Sequence, residues 1–64
     1  MKYMFSVIES PSGVLETITT TVDDANFVQF PATIGNPNYD AFLVQVDLTD
    51  EEVHALPVDE WIEA

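Results

Sequence analysis

Three kinds of side chain in this 64-residue chain could do chemistry: the carboxylate run Asp50-Glu51-Glu52, the lone His54, and the alternating hydroxyls of Thr17, Thr19 and Thr21. The carboxylates could hold a hard cation or act as general acid and base. A calcium loop, however, spreads its oxygens over about twelve residues around a glycine bend, a pattern this sequence lacks. Consecutive acids on a helix fan out by about 100° each and cannot converge on one ion. Acid–base catalysis would need a cleft and a companion nucleophile or oxyanion donor, and no motif supplies either. These acids read as the charged start of a helix and a solvated face. His54 has no second histidine or cysteine to share a metal, so thiolate and two-histidine sites are excluded. In the last turn of a short helix among acids, its role is electrostatic. The threonines form a single rank, as β-propensity on an exposed strand face would produce. No catalytic residue, cofactor or metal site is expected.

What remains as a functional signal is charge. Lys2 is the only basic side chain against twelve Asp and Glu, for a net charge of −11. A direct nucleic-acid binder must neutralise phosphates with Lys and Arg, and an anionic membrane would repel this chain. The 20 % charged and 11 % aromatic content nevertheless suits a folded domain rather than a disordered tail. The acids concentrate late in the chain, at Asp40, Asp47, Asp50, Glu51, Glu52, Asp59, Glu60 and Glu63. Two mechanisms could use them. Carboxylates can stand in for phosphates and occupy the nucleic-acid groove of another protein. Alternatively, acids turned outward keep a large assembly soluble while an apolar face docks to it. An acidic proteome in a saline habitat would give the same composition.

Size points to association. A chain this short forms one domain, residues 1–64, and buries only about 60 % of its unfolded surface. Small domains usually add a disulfide, a metal or a partner, and without cysteine the partner is the staple left. That partner is expected to be a protein, and self-association is a further option. The opening Met1–Ser10 has no apolar core long enough for a signal peptide. No window approaches the ~20 apolar residues of a membrane span.

The elements that position these residues can be read from periodicity. Lys2–Glu9 alternates, with Tyr3, Phe5 and Val7 on one face and Met4, Ser6 and Ile8 on the other. Ser10-Pro11-Ser12-Gly13 is a turn. Val14–Val22 forms the return strand, with Val14, Ile18 and Val22 joining the first face. A four-residue loop sets Phe5 opposite Ile18 and Val7 opposite Glu16, so the apolar rows coincide. Asp23-Asp24-Ala25-Asn26 is the next turn, and Phe27–Phe30 a third strand stopped by Pro31. Residues 37–48 fit two readings. As a helix, Asn36 caps, Pro37 takes the first position, and Tyr39, Phe42, Leu43 and Val46 form a stripe. As a strand, Phe42, Val44, Val46 and Leu48 alternate. The stripe favours the helix. Thr49 and Glu52 make a capping box, Val53 and Leu56 face inward, and Pro57 ends the turn. Trp61 and Ile62 fold the tail back as an anchor. The expected fold is α+β: an N-terminal β-hairpin or three-stranded antiparallel meander with one or two short C-terminal helices.

The second face of the hairpin, Met4, Ile8 and Leu15 with Thr17 and Thr19, is the expected partner-binding surface, together with Trp61. The acidic alternative is Asp50, Glu51, Glu52, Asp59, Glu60 and Glu63. The stretch NPNYDAFLVQVDLTDEEVHAL resembles the ends of small accessory proteins of tailed bacteriophages, in which an Asn-x-x-Tyr-x-x-Phe-Leu segment recurs, here Asn36, Tyr39, Phe42 and Leu43. It covers about a third of the chain. The resemblance implies a non-enzymatic bacteriophage protein, either a capsid decoration or minor virion component, or an acidic nucleic-acid mimic that inhibits a host nuclease or defence complex. The expected location is accordingly the virion or the host cytoplasm. It carries no catalytic residues to transfer. Val44-Gln45-Val46 departs from the polar helix-formers of such segments, which weighs toward the strand reading there.

Overall fold

The computed structural model describes all residues from Met1 to Ala64. β1 (Lys2–Ser10) and β2 (Gly13–Thr21) form the hairpin, β3 (Phe27–Pro31) follows, then α1 (Pro37–Val46), α2 (Asp50–Val53) and β4 (Trp61–Glu63). The antiparallel sheet has the order β3-β2-β1-β4. Phe5 lies opposite Ile18 and Val7 opposite Glu16, and the ladder closes on Ser10 opposite Gly13. Gly13 sits at φ +138°, where a side chain would be strained.

Both helices lie on the Tyr3–Phe5 side. Asn36 caps α1 by accepting from the N–H groups of Asn38 and Tyr39 at 3.1 and 3.2 Å, with Pro37 at its start. Asp47, at φ 57°, ends it with a left-handed turn. The helix reading of residues 37–46 therefore holds, because the stripe has a core to meet. Phe42 packs edge-on against Tyr3 at 5.2 Å and Phe30 at 5.9 Å, and Tyr39 and Val53 are fully buried. Val44, which the strand reading needed inside, is 82 % exposed. Thr49 and Glu52 exchange both capping-box hydrogen bonds at the start of α2.

Three expectations are corrected. The sheet has four strands rather than three. The tail does fold back, but as β4, pairing Ile62 with Tyr3 and Trp61 with Met4. Asp59 N–H donates to the Phe5 carbonyl at 2.8 Å to start that strand. Val14 and Val22 do not join the core. Val22 lies beyond the last ladder pair, because Thr21 Oγ1 accepts from Asp24 N–H at 3.0 Å and turns the chain away. Val14 sits on the hairpin tip, past the reach of the helices, and is 65 % exposed.

Candidate functional site: the open face of the sheet

Alternation along the strands puts Lys2, Met4, Ser6 and Ile8 of β1 on the face that the helices leave uncovered. Their cross-strand partners, Leu15, Thr17, Thr19 and Thr21, share it, as do Phe27 and Gln29 on β3 and Trp61 and Glu63 on β4. All six residues expected to bind a partner, Met4, Ile8, Leu15, Thr17, Thr19 and Trp61, thus lie on one surface. They do not contribute equally to it. Thr17 is buried, flanked by Ser6 and Pro31 across the strands, and its hydroxyl is reached by Gln29 Nε2 at 3.5 Å. It is part of the floor and offers no contact surface. Gln29 also spans to Thr19 Oγ1 at 3.4 Å. Ile8 and Leu15 form an exposed cross-strand pair.

Phe27 belongs to this face and was missed by the sequence reading. It comes from one edge strand and Trp61 from the other, yet their rings meet at 5.9 Å. They lean together across the two central strands, over buried Thr21 and half-buried Met4. Both stay about half exposed. The available signal was the strand alternation of Phe27 and Gln29, which sets Phe27 on the side opposite Phe30. The missing information was that the tail would return as a strand and place Trp61 within reach.

Charge divides the molecule. The open face carries Lys2, held to Asp24 at 3.3 Å, and one acid, Glu63. Asp40, Asp47, Asp50, Glu51 and Glu52 belong to the helices and their caps on the far side. Of the acidic alternative set, Asp50 is an internal partner as much as a surface charge. It accepts the Tyr39 hydroxyl at 2.6 Å and approaches His54 Nδ1 at 3.3 Å. Glu52 closes the capping box, while Glu51, Asp59, Glu60 and Glu63 are exposed.

His54 ties four elements together, α2, β2, β1 and α1. Nδ1 lies 2.8 Å from the Asp50 carbonyl and Nε2 3.3 Å from Glu16 of β2, and the ring meets Phe5 and Tyr39 edge-on. The hydrogen bond at the Asp50 carbonyl, helped by the charges of Asp50 and Glu16, raises the imidazole pKa above 6.5 against partial burial. Burial, then the bond to Asp50, pushes the Tyr39 hydroxyl far above its usual 10.0. At the exposed Asp23, hydrogen bonds from the Asn26 and Ala25 N–H groups lower the carboxyl pKa and fix the β2–β3 turn. No three ligating side chains converge, and the surface has no pocket. No helix is long and apolar enough to cross a membrane.

No protein-family model, characterised protein or solved structure matches the chain.

Proposed function

We propose that this chain is a non-enzymatic protein–protein association module that docks by its open sheet face. On this reading it is an accessory structural protein of a bacteriophage, a decoration or minor virion component, seated on a larger assembly with its acids outward. The observation that carries the reading is the partition of the surface. A chain of net charge −11 keeps one sheet face nearly free of acids while exposing Ile8, Leu15, Phe27 and Trp61 there. An antiparallel sheet with one face in water normally turns polar side chains to it. Exposed apolar patches with a polar rim mark interaction surfaces. The phage assignment rests on the resemblance of the Asn36–Leu56 stretch.

Co-sedimentation with purified virions tests this proposal. The chain is expected to stay with the particles through a wash at about 0.5 M NaCl, since salt weakens apolar contacts little. Recovery instead with a basic host enzyme, lost on raising salt from about 50 to 200 mM, would favour the nucleic-acid mimic.

A further inference from the structure

Building on that reading, we propose that the open face takes an amphipathic α-helix whose apolar stripe is flanked by Lys or Arg. The shape of the patch supplies the first argument. Met4 and Ile8 follow one another along β1, with Trp61 beside Met4 and Leu15 beside Ile8. Met4 and Ile8 lie four residue steps apart, roughly 13 Å at about 3.3 Å per step. That distance matches two to three helical turns of about 5.4 Å. Ser6, small and partly buried, lies between Met4 and Ile8. Phe27 and Trp61 wall one end with aromatic surface of the kind that anchors binding. The sheet already carries helices on its other face, and a helix here completes a three-layer arrangement.

Charge selects among occupants. The one cation of the face is already engaged with Asp24, which leaves Glu63 and the field of the whole molecule. A second copy would bring −11 against −11, and an anionic bilayer is repelled in the same way. Basic residues flanking an apolar stripe are drawn by the field of the whole molecule and meet Glu63 on the edge strand β4.

The full chain, labelled with ¹⁵N, can be titrated with three synthetic helical peptides: a leucine stripe with lysine flanks, the same stripe with glutamine flanks, and a lysine-rich helix without a stripe. The lysine-flanked stripe should shift β1 and β2 amides and the Trp61 indole. At about 50 mM salt it should bind at least tenfold tighter than its glutamine-flanked counterpart, an advantage that shrinks near 0.5 M. Met4→Asp should abolish the shifts, and Trp61→Ala, a milder change at an exposed site, should weaken binding by about tenfold. Equal affinity of both striped peptides for the face would overturn the basic-flank inference and leave the docking face standing. Shifts confined to α1 and α2, produced equally by the stripeless peptide, would overturn the face as the site. Failure of every peptide to bind would overturn the helix as occupant, while virion co-sedimentation judges the association module separately.

Discussion

At the scale of single residues, His54 is where chemistry and stability meet. Asp50, Glu16 and Tyr39 face it from α2, β2 and α1, with the Ala32 carbonyl behind them. Its pKa in the folded protein lies above the unfolded value, so the protonated form is favoured by folding. The stabilisation is fully present below about pH 6.5 and is lost as pH rises through the folded pKa. Denaturant unfolding should therefore show a more stable domain at pH 6 than at pH 8.5, and His54→Gln should flatten that difference. A wild-type difference that survives in the variant would assign the effect to other groups. Tyr39→Phe removes the 2.6 Å donor to Asp50 and should cost about 1–2 kcal/mol, given that Asp50 remains partly hydrated. Equal stability of the two proteins would show that water replaces the phenol without loss. The sequence placed His54 near a helix end among acids, but not Glu16 beside it. That contact depends on how α2 packs on the sheet, which no local spacing encodes.

Elements of this fold differ in how much non-local information they need. The hairpin was legible because Tyr3, Phe5 and Val7 must share a face with Ile18, and a one-residue slip would have set those three β1 residues against threonines. Phe5→Ala should cost roughly 3–5 kcal/mol, close to the whole stability of such a domain, whereas Thr19→Ala on the open face should cost under ~1 kcal/mol. Similar losses in thermal or denaturant unfolding would mean that the two faces are wrongly assigned. α2 was legible from its capping box. α1 was ambiguous because valine suits both structures, and the cap at Asn36 together with the Tyr39–Phe42 stripe proved the better guide. β4 was not legible. Three residues are too few for a period, and their pairing with Tyr3 and Met4 is set by a chain reversal at Val58–Asp59, where Val58 bridges to Phe5. Of the candidate site, the β1 and β2 positions followed from alternation alone. The partnership of Phe27 with Trp61 did not, since it joins the two edges of the sheet.

Over the whole molecule the governing fact is uncompensated charge on a small body with a radius of gyration of 11.3 Å. Lys2–Asp24 and the two His54 contacts are the ion pairs that offset it. Salt screens such repulsion over about 8–10 Å at physiological strength. The isolated domain should melt higher in about 0.5 M NaCl than in 10 mM, and an unchanged or lower Tm would show that self-repulsion does not limit it. The same charge gives the proposed docking its direction, since the helix side carries the acids while the open sheet face exposes Ile8, Leu15, Phe27 and Trp61 with Glu63 as its one acid. The most direct test of that claim is the affinity for virions of two double variants, each first checked for an unchanged fold. Met4→Asp with Ile8→Asp alters the open face, and Asp47→Asn with Glu51→Gln neutralises acids on the helix side. The account predicts that the first pair loses at least about a hundredfold in affinity while the second stays within a few-fold of wild type. Binding that survives the first pair and collapses with the second would contradict it.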